Sequence, residues 1–105
     1  MAEVAFSPQA RRDLRSILER LDKVAGPVTA RKYDTAFKRV IMNLERFPGS
    51  GSPRAHLGKR TRMTSVPPYL IFYDGGPRSR VVDVLRIVDG RRDITPELIA
   101  RGRER

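Results

Sequence analysis

Two apolar helical stripes, separated only by a glycine and a proline, constrain the fold of this chain more than any other feature. Apolar residues recur at three- and four-residue spacing from Leu14 to Ala25, and again from Tyr33 to Leu44. This spacing predicts two amphipathic helices, each with one face that must be buried. Because only Gly26-Pro27 lies between them, we expect a helical hairpin that packs both faces on a common partner.

The ends of these helices are also marked in the sequence. Ser7-Pro8 predicts the start of the first helix, since serine is a preferred N-cap and proline is favoured in the first turn. The apolar-leaning stretch Ala2–Phe6 before it is short enough for one strand. The segment Phe47–Pro53 ends the second helix and is too short to separate two domains. We therefore expect residues 1–105 to form a single domain.

Beyond this connector the apolar pattern changes to a period of two, which is typical of strands. Residues 60–65, Tyr69–Tyr73 and Arg80–Val88 have strand composition, with turn residues between them. Short turns predict an antiparallel meander. Thr95-Pro96 repeats the cap-and-proline pattern and predicts a short C-terminal helix, whereas the basic tail from Arg101 is expected to fray.

The predicted order is therefore β-α-α-β-β-β with a short C-terminal helix. Two apolar helix faces and one apolar sheet face are buried together most simply in two layers. We thus predict an α+β fold in which the helical hairpin packs on a small antiparallel sheet.

The charge balance indicates an anionic partner. The net charge is +10, from 22 Lys and Arg against 12 Asp and Glu, and the excess is spread along the chain. Nucleic acid and an acidic protein are both compatible with it, so charge alone also supports a plain nucleic-acid-binding module. The chain has no cysteine and one histidine, His56, so we expect no cofactor and no metal site. No apolar run approaches membrane-spanning length and no leader is evident, which favours the cytoplasm and no membrane contact.

The strongest candidate site follows the last strand, at Gly90–Asp93. A strand that ends in two adjacent arginines would present both to a charged target. Such a site is compatible with a metal-free ribonuclease, in which Tyr69 or Tyr73 supplies a hydroxyl, or with a surface that only binds. Arg86 interrupts the apolar strand, so we expect it to face a groove or to pair with an acid such as Asp83 or Asp89.

Six segments of the chain carry a family resemblance. They are Phe6–Ala10, Asp13-Leu14, Leu44, Phe47-Pro48, Tyr69–Tyr73 and Val84–Asp93. Taken in this order, they resemble the ParE branch of the RelE/ParE superfamily of bacterial toxins. The resemblance extends over nearly the whole chain and is most specific at the end of the last strand, which is similar to the family's "HGRRD" signature. Asp89 stands where the family commonly has histidine.

This resemblance implies the toxin of a type II toxin–antitoxin system, which inhibits growth by binding and poisoning DNA gyrase and is not itself an enzyme. It leaves open the alternative of a RelE-like, ribosome-dependent mRNA endoribonuclease. Those enzymes use a basic residue in the strand matching Tyr69–Tyr73, an arginine near Arg92 and a tyrosine in the terminal segment. Leu70 and Leu98 stand at the first and last of these places. We therefore assign no catalytic residue.

The resemblance further implies a ParD-like antitoxin with a ribbon-helix-helix part and an extended segment that folds on the toxin. Operator DNA would be contacted only indirectly, through the antitoxin, and the two proteins would form a hetero-oligomer. We expect the antitoxin in the groove between the helical hairpin and the sheet. The residues assigned to target binding are Arg86, Arg91 and Arg92, and those assigned to antitoxin binding are Leu14, Arg60, Arg62, Tyr69 and Tyr73.

Overall fold

The computed structural model describes residues 1–104 and confirms the predicted α+β class and element order. The strands are β1 (Glu3–Phe6), β2 (Ser52–Pro53), β3 (Thr61–Val66), β4 (Tyr69–Asp74) and β5 (Val81–Asp89); the helices are α1 (Pro8–Ala25), α2 (Pro27–Arg46) and α3 (Pro96–Ala100), and α3 continues into one 3-10 turn (Arg101–Arg103). The sequence pattern predicts neither the two-residue strand β2 nor the 3-10 turn.

The helix boundaries follow from local chemistry. The Ser7 hydroxyl oxygen accepts a hydrogen bond of 3.0 Å from the Ala10 backbone N–H and so caps α1. Gly26 serves both helices: its N–H donates to the Asp22 carbonyl oxygen at the end of α1, and its own carbonyl oxygen accepts from Ala30 in α2. Gly26 has a φ of 91°, a conformation that favours glycine. This single residue therefore fixes the tight turn of the helical hairpin.

The sheet has the order β1-β5-β4-β3-β2. Strands β2 to β5 pair antiparallel, as the meander predicts, but β1 pairs parallel with β5, from Glu3 opposite Val81 to Phe6 opposite Val84. The sheet is thus mixed rather than purely antiparallel. Turn length fixes the direction only of strands joined by that turn, and β1 is separated from β5 by most of the chain.

Both faces of the sheet are covered. The helical hairpin covers one face, over a core that includes Phe37, Leu44 and Tyr73. The C-terminal segment covers the other face, where Leu98 and Ile99 pack with four further buried residues, Leu57, Phe72, Leu85 and Val88.

The expected fraying of the basic tail is wrong for Arg101–Arg103. Gly102 is buried, and an added Cβ there would overlap the Leu85 carbonyl oxygen. The Arg103 guanidinium donates two hydrogen bonds of 2.9 Å to the Asp74 carboxylate and one of 2.8 Å to the Thr61 hydroxyl oxygen. The last basic residue, Arg105, lies outside the described residues.

Candidate functional site

The turn after β5 is held against the β3–β4 turn. The Gly90 N–H donates to the Pro68 carbonyl oxygen at 2.8 Å, and an added Cβ at Gly90 would lie 3.0 Å from the same oxygen. Glycine therefore suits this position because two turns approach each other closely there, and not because of a positive φ. The candidate arginines thus start from a fixed backbone.

The two arginines of this turn differ in what they contact. Arg91 donates through its backbone N–H and through Nε to Asp89 Oδ1, at 2.9 and 3.1 Å, and through Nη2 to Oδ2 at 2.9 Å. These hydrogen bonds lower the pKa of Asp89 from 3.8 to about 2. Arg92 is exposed, and its side chain forms no ion pair with any of residues 1–104. Arg92 is therefore the cation that the turn leaves available to a partner.

Arg86, the third residue assigned to target binding, is only 7% exposed. Its Nε and Nη2 donate to the two Asp13 carboxylate oxygens at 2.8 and 3.0 Å, and its Nη1 donates to the Leu98 carbonyl oxygen at 3.2 Å. Arg86 therefore pairs with an acid, as expected, but the acid is Asp13 and neither Asp83 nor Asp89. Because its guanidinium is enclosed between α1, β5 and α3, Arg86 is a structural residue and does not reach a partner from this position.

Asp13 also explains why α1 lies where it does. Its carboxylate accepts a third hydrogen bond, of 3.0 Å, from the Ile87 backbone N–H. Strand β1 ends opposite Val84, so β5 has no strand partner beside Ile87 on that edge. One carboxylate therefore replaces part of the missing strand and neutralises a buried guanidinium.

Two of the residues assigned to antitoxin binding hold the glycine-rich loop before β2. The Tyr73 side chain is fully buried, and its hydroxyl oxygen accepts from the Gly51 N–H at 2.8 Å. Arg62 donates to three backbone carbonyl oxygens, those of Gly49, Gly51 and Gly75, at 3.0, 2.9 and 3.2 Å. The polar groups of both side chains therefore form hydrogen bonds within the fold.

The other three residues of that set reach the surface at separate places. Arg60 is exposed and donates to the Ser79 hydroxyl oxygen at 3.0 Å. Tyr69 is half-buried and packs edge-on against Tyr33, with 5.8 Å between ring centroids. Burial, with smaller contributions from Tyr33 and Asp89, raises the pKa of the Tyr69 hydroxyl, which stays neutral at physiological pH. Leu14 is half-buried on α1.

Over most of their contact, the helical hairpin and the sheet leave no gap, because the core around Phe37 and Tyr73 fills the space between them. A groove of about 390 Å³ lies at one edge of this contact, where Leu14 and Leu18 of α1 meet Phe6 of β1 between Arg11 and Arg15. A groove between hairpin and sheet, where the sequence places the antitoxin, is thus present at this edge. Strand β1 is also an edge of the sheet.

Sequence periodicity identified Leu14 and Leu18 only as members of a buried stripe and did not identify Phe6 as their neighbour. The signal that could have found the groove is the alternation of Arg11 and Arg15 with these leucines over about two helical turns. An apolar floor between two arginines is complementary to an amphipathic segment that carries acids.

No proton-transfer group stands at the two positions that the ribonuclease comparison singles out. Leu98 is buried and Leu70 is half-buried, and both belong to the core beneath the C-terminal segment. In residues 1–104 no group of three or more His, Cys, Asp or Glu side chains could hold a metal ion. No helix in that part of the chain has the length and apolar character to cross a membrane.

Comparison with known proteins agrees with this architecture. Residues 4–94 match the family described as "ParE toxin of type II toxin-antitoxin system, parDE". A solved structure, "Chromosomal ParDE TA system from P. aeruginosa", superposes with a TM-score of 0.69 at 19% identity, over 85% of this chain and 96% of that chain. At that identity the superposition supports a shared fold. No curated protein sequence gives a significant match.

Proposed function

This chain belongs to the ParE toxin family of type II toxin–antitoxin systems, and on that premise we propose that it inhibits bacterial growth by binding and poisoning DNA gyrase. In this proposal the protein acts in the cytoplasm as a binding protein, and a ParD-like antitoxin neutralises it. The toxin would contact gyrase through its surface, and no bond would be made or broken by its own side chains.

The turn after β5 is the observation that carries this proposal. Arg92 projects from a backbone fixed by the Gly90–Pro68 hydrogen bond and keeps an exposed guanidinium. A backbone that is already fixed reduces the entropy lost on binding, and arginine is common among interface anchors. The leucines at positions 70 and 98 cannot transfer a proton, which argues against phosphodiester cleavage at the same surface.

Purified gyrase provides the test. The wild-type protein is expected to inhibit supercoiling of relaxed plasmid and to trap gyrase on cleaved DNA, seen as linear plasmid after detergent and protease treatment. Arg92→Gln should raise the concentration needed for half-inhibition on the order of tenfold or more, as for an interface anchor. Arg31→Gln is the matched control, because it removes the same charge from an exposed position on α2.

A translation extract with an end-labelled message, run beside the gyrase reaction, decides between the proposal and the ribonuclease alternative. Linear plasmid with intact message supports gyrase poisoning. Ribosome-dependent cuts in the message, with supercoiling unaffected, would overturn it. Equal effects of Arg92→Gln and Arg31→Gln would show that the β5 turn is not the contact surface.

We further propose that the antitoxin binds the α1 groove, with an acidic amphipathic helix over Leu14 and an added strand along β1. The support is the apolar floor between Arg11 and Arg15 beside a free sheet edge. The toxin and antitoxin would form a hetero-oligomer, and operator DNA would be contacted through the antitoxin.

The probe for that surface would be a ribbon-helix-helix protein encoded in a reading frame next to this gene. The double variant Leu14→Ala/Arg15→Glu should weaken binding by about a hundredfold in calorimetry, since it removes an apolar anchor and reverses a flanking charge. Arg31→Glu serves as the charge control. Unchanged affinity of the folded double variant would exclude the groove as the antitoxin site.

A further inference from the structure

Positive charge is found along the whole chain, and its excess over negative charge is largest in the middle segment. Between Glu45 and Asp83 the sequence has seven arginines and lysines and a single acid, Asp74. That acid is already hydrogen bonded by Thr61 and Arg103. The net charge of this region is therefore not compensated locally.

Folding gathers four of these cations around one groove. The groove has a volume of about 570 Å³ and lies between the segment that leads into β3 and the loop that joins β4 to β5. The cations that line it are Lys59, Arg60, Arg62 and Arg78. None of the four forms an ion pair within residues 1–104.

Hydrogen bonds hold the two walls of the groove in place. The backbone carbonyl oxygen of Arg60 accepts a hydrogen bond of 3.1 Å from the Gly75 N–H, and the guanidinium group of Arg60 donates to the Ser79 hydroxyl oxygen. The same hydroxyl oxygen accepts from the Gly76 N–H at 2.8 Å. Arg62 fixes the floor through its three carbonyl contacts, which leaves Lys59, Arg60 and Arg78 exposed at the rim.

We propose that this basic groove binds the phosphodiester backbone of a nucleic-acid double helix. Guanidinium groups match phosphate oxygens in geometry, and unpaired surface cations gain affinity by releasing the counterions of a polyanion. The contact needs neither gyrase nor antitoxin, so it is independent of the function proposed above.

The lining of the groove favours a double helix over the other anionic partners. It contains no aromatic side chain on which an unpaired base could stack, which single-strand binding sites normally provide. Its apolar side chains are those of Pro53, Ala55 and Pro77 alone, so it offers no pocket for the large anchors of a protein segment. A regular, exposed phosphate backbone requires neither of these features.

The test uses the full chain and a fluorescent DNA duplex of about 20 base pairs, which is two helical turns. Its binding is measured by anisotropy titrations over a range of salt concentrations. Arg60→Gln/Arg78→Gln should reduce the slope of log affinity against log salt by about 2 and weaken binding on the order of tenfold at low salt. Arg31→Gln/Lys32→Gln, on α2, removes the same charge outside the groove and should change neither value. Arg60→Lys/Arg78→Lys keeps the charge and should retain the slope, which separates loss of contact from loss of folding.

Four results would overturn the proposal. The first two are no duplex binding at low salt and equal losses in the groove and α2 double variants. The other two are displacement of the duplex by polyglutamate at lower charge concentration than by unlabelled duplex, and tighter binding of the unpaired strand than of the duplex. A duplex RNA of the same sequence, titrated in parallel, supports the proposal if it binds through the same residues and shows which double helix the groove prefers.

Discussion

The arginines of this protein fall into two sets that the sequence does not distinguish. Arg62, Arg86 and Arg103 form an interior set, whose guanidinium groups donate to backbone carbonyl oxygens or carboxylates of the fold itself. The Arg103 side chain is the most exposed of this set, at 38%. Arg60, Arg78 and Arg92 are exposed and unpaired with acids in the described residues.

The interior set is found where regular secondary structure stops. Arg62 lies over the loop before β2, Arg86 beside the edge of β5 that β1 leaves unpaired, and Arg103 at the C-terminal segment. Regular hydrogen bonding ends at each of these places, and a guanidinium with five donors can satisfy several acceptors at once. Interior arginines therefore stabilise the fold, and exterior arginines are left for partners.

The largest expected effect is at Arg86. Arg86→Met leaves the Asp13 carboxylate enclosed with only the Ile87 N–H as donor, and removing one partner of a buried ion pair costs about 3–5 kcal/mol. Urea denaturation followed by circular dichroism measures the loss. Asp13→Asn/Arg86→Met should be less destabilised than Arg86→Met alone, because no charge is then left unpaired. A loss below ~1 kcal/mol for Arg86→Met would contradict its interior role.

Arg62 should rank second. Arg62→Gln removes hydrogen bonds from a charged donor to three half-enclosed carbonyl oxygens, for which we expect a loss of about 2 kcal/mol. Arg60→Gln, two residues away on an exposed site, should stay within ~0.5 kcal/mol of the wild type. Chemical denaturation of the pair gives the comparison directly. Equal losses would show that exposure does not separate the two sets.

Arg103 is predicted to contribute less, because its side chain is 38% exposed. Arg103→Gln should cost about 1 kcal/mol and should mainly release the C-terminal segment from Asp74. Hydrogen exchange of the Leu98 and Ile99 amides detects this local opening. Arg101→Gln is the exposed control on the same turn. Unchanged protection in Arg103→Gln would mean that apolar packing alone holds the segment.

The sequence predicted the elements well because their signals are local. Ser7, Gly26 and Thr95 act within one turn of the residues that they cap, so their roles can be assigned without the fold. The contacts of the arginines assigned to partner binding could not be predicted, because the residues that they contact are distant in sequence. Arg86 pairs with a residue 73 positions earlier, and the Arg62 acceptors are backbone atoms of loops. Neither helical nor strand periodicity contains information on such contacts. For the same reason, the sequence did not predict that the C-terminal segment is ordered.

The smallest effect concerns Arg91, which is exposed but paired and so lies between the two sets. Since its hydrogen bonds lower the pKa of Asp89 to about 2, any stabilisation from this pair is present above the ordinary value of 3.8 and disappears as the pH falls toward 2. A carbon-detected NMR titration of the Asp89 carboxyl group measures the pKa itself. Arg91→Gln should raise it toward 3.8, with the backbone N–H at position 91 retaining part of the shift.

Arg92→Gln should leave the pKa of Asp89 unchanged while weakening gyrase inhibition, whereas Arg91→Gln should weaken gyrase inhibition less. If both variants altered the pKa equally, the two arginines would share one electrostatic role, and the distinction between a paired and an available arginine at this turn would fail.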